Sequence, residues 1–147
     1  MDDSTDLTSR LMARREACGL SQDELAARLG LTRPAIYDLE GHEDELFSVY
    51  GAVHLQRYAK ALATTPSALI GITHNGPAID FDELSEIIAQ HCKEHDLTIE
   101  GFEDRVGWHL AAMVASPARF ADDISLGGLR DLCRHMDVDW RQVILSL

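Results

Sequence analysis

Apolar residues return at helical spacing along most of the chain, and no run alternates with the period of two that a half-buried strand would show. Leu7, Leu11 and Arg14 share one face of a first predicted helix, which carries Arg10, Arg14 and Arg15 as a basic flank and ends near Gly19. Ser21, Gln22, Asp23 and Glu24 follow with capping-box spacing, in which the Ser21 hydroxyl accepts from the Glu24 backbone and the Glu24 carboxylate returns the bond. A second helix is predicted from there to Leu29, where Gly30 allows the left-handed turn that stops it. Thr32 is placed to cap a third helix that runs through Ala35, Ile36 and Leu39 to Gly41. Pro34 sits in its first turn, where a missing N–H does no harm. After a long connection, HEDELFSVYGAVH, a fourth helix carries Leu55, Tyr58, Ala59 and Leu62, and Pro66 opens a short fifth with Leu69 and Ile70. The Asn-Gly and Pro of THNGPAID then mark a turn or linker.

Beyond that break the pattern starts again. A shift of 77 pairs Leu7 with Leu84, Leu11 with Ile88, Leu20 with Leu97, Ser21 with Thr98, Leu25 with Phe102, Arg28 with Arg105 and Gly30 with Gly107. A shorter loop changes the shift to 74, which pairs Leu55 with Leu129, Ala59 with Cys133, Leu62 with Met136 and Leu69 with Val143. Any two amphipathic segments slide into hydrophobic register when one gap is allowed. Amphipathicity alone would not also align the cap, the arginine and the turn glycine. The expectation is therefore an all-α chain of two five-helix units, residues 5–72 and 80–147, joined by a linker at 73–79.

Composition narrows the function classes. The chain has 147 residues, 46% of them apolar, with no apolar run near the roughly 20 residues of a membrane span, and it begins with the acidic MDDSTD. A soluble cytoplasmic protein is expected, with no membrane partner. Three scattered cysteines, Cys18, Cys92 and Cys133, read as buried thiols and not as a disulfide framework. The formal charge of −12 excludes a protein that coats nucleic acid non-specifically, so any DNA contact must be local. Residues 1–72 hold seven basic against eleven acidic side chains, and residues 73–147 hold six against fourteen. His91 and His95 at i and i+4 invite a zinc reading, but no further Cys or His pair has structural-site spacing. No Gly-rich phosphate loop, HExxH or GxSxG is present, and neither an enzyme nor a metal or other cofactor is expected.

The stretch LSQDELAARLGLTRPAIYDLEGH resembles the helix-turn-helix of the Cro/C1 (Xre) family of bacterial and phage regulators. Its elements are Leu25, the small Ala26, Leu29, Gly30, Leu31, Ile36, Leu39 and the Glu40-Gly41 pair, and the likeness extends over residues 7–70. It implies a lambda-repressor-like five-helix bundle and a sequence-specific, double-stranded-DNA-binding regulator, a repressor among the class. Helix three then enters the major groove. By position, the resemblance turns Arg33, Pro34 and Asp38 towards bases, with Tyr37 on the same face, and Gln22 and Thr32 towards phosphates. Backbone N–H groups near Ser21 and the side chains of Arg14 and Arg15 are further phosphate candidates. Each has a structural alternative: Arg33 as a solvated helix-start residue, Gln22 as a helix former, Arg14 and Arg15 as i,i+4 charge partners. Where the family usually places Lys and Arg after Glu-Gly, this chain has His42, Glu43, Asp44 and Glu45, which would repel phosphate.

The second unit departs further. Glu103 replaces Ala26, Ser116 replaces Leu39, and Leu110, Ala111 and Ala115 stand where the reading face would be. Small and apolar side chains there suit a packed surface, which predicts a degenerate copy used for association, either homodimerisation or capture of a protein partner. The alternative for the whole chain is an acidic protein-interaction module that keeps the fold and binds a regulatory protein.

Overall fold

The computed structural model describes residues 6–72 and 76–147, with nothing of the side chains of residues 120 and 121. The domain start expected at residue 5 and positions 73–75 of the expected linker lie outside the described residues. The chain is all-helical: α1 Leu7–Ala17, α2 Gln22–Leu29, α3 Arg33–Gly41, α4 Glu45–Val49, α5 Ala52–Ala61, α6 Pro66–Leu69, α7 Phe81–Glu94, α8 Ile99–Val106, α9 Ala111–Ala115, α10 Ala118–Asp123, α11 Leu126–His135 and α12 Trp140–Leu145. Among the described residues no helix is long and apolar enough to cross a membrane.

Local chemistry sets the first three helices as the sequence predicts. Asp6 caps α1 through the N–H of Ser9 at 2.8 Å. At α2 both arms of the capping box form, with 3.0 Å from the Glu24 N–H to Ser21 Oγ and 3.0 Å from the Ser21 N–H to Glu24 Oε1. Gly30 then closes the helix with φ 67°, where a Cβ would strain the backbone. Thr32 Oγ1 accepts from the Ala35 N–H at 3.3 Å, and Pro34 occupies the first turn of α3.

The connection after α3 differs from the expectation. It contains a five-residue helix, α4, so that the predicted fourth and fifth helices are α5 and α6. One buried side chain, Leu46, organises α4, and five residues are too few to show a periodicity. Leu46 is 1% exposed, and α4 packs against α11 from the other half of the chain. A further short helix, α10, occupies the matching place in the second half.

The helices of the two halves fall at matching positions. α2 and α8 start 77 residues apart, α5 and α11 start 74 apart, and left-handed backbone recurs at the same shifts. Gly19 and Asp96 have φ 70° and 54°, Gly30 and Gly107 67° and 81°, and Ala63 and Asp137 54° and 57°. Ser21 caps α2 as Thr98 caps α8.

The halves share one core. Leu11, Leu25, Ile36, Leu55 and Leu62 belong to the same buried cluster as Leu84, Ile88, Phe102, Leu129 and Val143. Between the halves α4 packs on α11, α5 on α10 and α6 on α12, and Gly51 pairs with Ser125 in an isolated antiparallel bridge. The Leu126 N–H donates to the Tyr50 carbonyl at 2.9 Å. Phe47 meets the edge of Trp140 at 5.7 Å, and Arg130 lies 4.8 Å over the Phe47 ring. Cys92 and Cys133 are buried, and burial pushes the Cys133 thiol up to about 12, while half-buried Cys18 donates to the Leu62 carbonyl. Cys92 and Cys133 are thus the buried packing positions expected of them, whereas Cys18 is only partly buried.

Candidate nucleic-acid interface

The N-terminal half presents one clean surface for a groove, the outer face of α3. Ile36 and Leu39 on its inner face are 0% and 1% exposed, which fixes the rotation of the helix about its axis. Ala26 is buried where α2 and α3 meet, as a close crossing requires. The opposite face is therefore turned outward: Thr32, Arg33, Pro34, Tyr37 and Asp38 are all exposed, Tyr37 by 63%. Among the described residues nothing pairs with Arg33, so its five N–H donors are available to a ligand.

The far end of α3 is held by charge. Glu40, with 1% of its side chain exposed, accepts from Arg15 Nε at 2.7 Å and from Arg15 Nη2 at 2.9 Å, a two-pronged pair that joins α1 to α3. Gln22 Nε2 donates to the same carboxylate at 3.2 Å, and Arg15 Nη1 reaches the Leu20 carbonyl at 2.8 Å. This hydrogen bonding raises the pKa of Arg15, which stays fully charged.

Several predicted phosphate contacts are consequently corrected. Arg15 is taken up by Glu40, and the Gln22 amide serves the same buried carboxylate. Arg14 turns inward as well: its Nε donates to the Leu62 carbonyl at 2.8 Å and its Nη2 to the Ala63 carbonyl at 2.9 Å, which caps the C-terminus of α5. Cations are favoured at such carbonyl ends, so these arginines are structural. The Ser21 hydroxyl and N–H are both used by the capping box, which holds the Glu24 carboxyl below its ordinary range. A pattern on one helix shows its basic flank; it does not show what later segment the flank meets.

Other cations come together instead. Arg28, Arg57 and Lys60, all exposed, line a groove beside Gly30 at the turn between α2 and α3. Sequence reasoning missed this group because Arg57 and Lys60 lie about 30 residues from Arg28, on a different helix. Its only signal is the i,i+3 spacing of Arg57 and Lys60 on the outer face of α5.

The corresponding region of the C-terminal half is built differently. Leu110, expected as part of an association surface, is 0% exposed and belongs to the core, whereas Ala111 and Ala115 are exposed. Glu103, at the position of Ala26, does not fill a helix crossing. Its carboxylate accepts from the N–H groups of Leu110 and of Ala111, the latter at 3.0 Å, and so caps the start of α9. The Ala111 N–H, then that of Leu110, holds its carboxyl below the ordinary Glu range. A depressed folded-state pKa contributes stability above the ordinary value of about 4.3, lost as pH falls through that value to the folded one. The amide signals of Leu110 and Ala111 should therefore shift as pH falls below about 4, and Glu103→Gln should abolish that response. Amides insensitive to acid in the unmodified protein would disprove the cap.

The capped α2, the left-handed turn at Gly30 and an α3 anchored by Ile36 and Leu39 define a helix-turn-helix as the class of this unit. Residues 11–40 match the family model described as a helix-turn-helix, and that match overlaps Ser21–Gly41, which carries the resemblance to the Cro/C1 type. No curated protein and no solved structure matches the chain.

Proposed function

We propose that the chain is a sequence-specific transcriptional regulator that reads the major groove of double-stranded DNA with α3, and that residues 80–147 are a degenerate copy of the reading unit kept for association. The observation that carries this is the unpaired Arg33 at the exposed start of α3, with Thr32, Pro34, Tyr37 and Asp38 around it. Arg33 suits the O6 and N7 acceptors of guanine, worth about 1–3 kcal/mol of discrimination. Arg28, Arg57 and Lys60 supply cations for phosphate that the acids Glu43, Asp44 and Glu45 withhold.

Selection from a random-sequence pool tests the role of Arg33. Arg33→Ala should flatten preference at one base position while the folded chain is retained; an unchanged selected motif would rule the contact out. Binding should also weaken steeply with salt, since phosphate neutralisation releases counterions. Affinity that is flat from low to physiological salt would instead favour the protein-interaction reading, with which the exposed acids Glu43 and Asp44 are consistent.

A further inference from the structure

We propose that the two halves are packed as an internal counterpart of a two-fold dimer, so that the chain acts as a monomer with one working head and recognises a single non-palindromic half-site. The half-site part rests on the DNA-binding reading above. The internal-dimer part stands without it.

In a two-fold contact, residue i meets j' and j meets i', and a residue on the axis meets its own equivalent. The halves obey this rule under the shift that superposes their helices in sequence. α4 packs on α11, and the reciprocal pair, α10 on α5, is also present. α6 packs on α12, its own counterpart. Gly51 and Ser125 are 74 residues apart, equivalent positions at the starts of α5 and α11, and they pair with each other in antiparallel sense. An antiparallel bridge between equivalent residues is the arrangement that an axis through its centre produces.

Surface features follow the same relation. The groove lined by Leu29, Arg57, Lys60 and Ala61 has a counterpart lined by Val106, Asp131, Arg134 and His135, four residues at the matching shifts. Amphipathic packing of unrelated halves would give neither the reciprocal helix pairs nor the matched grooves. The face that a second subunit would use on α4, α5 and α6 is therefore filled from within the chain.

The second head in this arrangement is blank. The equivalent of Arg33 is the buried Leu110, that of Tyr37 is the half-buried Val114, and those of Pro34 and Asp38 are Ala111 and Ala115. The Glu103 carboxylate occupies the N–H groups at the start of α9, where a phosphate or base would otherwise approach. A reader with one such head gains nothing from a second inverted half-site. This replaces the homodimer expected from the sequence.

Two measurements on the full chain decide the proposal. Sedimentation equilibrium at micromolar concentration should return the monomer mass of 16.3 kDa, and a dimer mass would overturn the internal-dimer claim. Selection from a random pool should enrich one asymmetric motif. A probe with two inverted copies one helical turn apart, about 10 base pairs, should bind no more than about twofold better than one copy, the statistical factor for two equivalent sites. A gain of about 100-fold or more, the signature of two linked heads, would overturn the one-head claim. Enrichment of no motif would overturn the DNA reading and the half-site claim together, while the mass would still decide whether the chain acts as a monomer.

Discussion

Glu40→Ala is expected to lower stability by about 3–5 kcal/mol, the cost of stranding one member of a buried ion pair. The substitution removes both Arg15 contacts and the Gln22 contact at once, and leaves the guanidinium, only 12% exposed, with the Leu20 carbonyl as its remaining acceptor. Removing both charges is a different matter, because the desolvation of two ions is then avoided. Arg15→Met with Glu40→Leu should fall within about 1–2 kcal/mol of the natural chain. Urea denaturation with an unchanged slope would read both values. A loss below about 1 kcal/mol for Glu40→Ala would show that the pair is open to water. The consequence for function is positional: Glu40 joins α1, the start of α2 and the end of α3, so its loss also loosens the helix that carries Arg33.

The second large effect is expected at Leu46. Leu46→Ala should cost about 2–5 kcal/mol, the range for emptying a fully buried leucine site. Leu46 sits on α4 against α11, within the core that both halves share. Calorimetry should accordingly show one transition, lowered as a whole, in the variant as in the natural chain. Two separated transitions, with only one shifted by the substitution, would mean that the halves fold independently and that their contact contributes little.

The legible parts of the fold are those fixed by neighbours in sequence. Ser21 and Glu24 form their box because a helix N-terminus leaves N–H groups that residues three apart satisfy. Gly30 ends α2 because of its own backbone freedom. The outward turn of Arg33 and Tyr37 followed from the apolar spacing of Ile36 and Leu39, since one face of a helix implies the other. By contrast, Arg14 and Arg15 look like a free basic flank until Leu62, Ala63 and Glu40 arrive from 25 to 49 residues away. Glu103 and Leu110 share that limit. Aligning them with Ala26 and Arg33 identified a departure without saying that one would cap α9 and the other enter the core.

By itself, then, the sequence determined an all-helical chain, the caps and turn of the helix-turn-helix, and the face of α3 that is turned outward. These depend on hydrogen bonds and periodicities spanning a few residues. Only the tertiary structure decided which cations remain free, that α4 exists, and that the second half is packed against the first around Gly51 and Ser125. Those outcomes depend on which distant surfaces bury each other. A side chain's charge is written in the sequence, but its partner is chosen by packing.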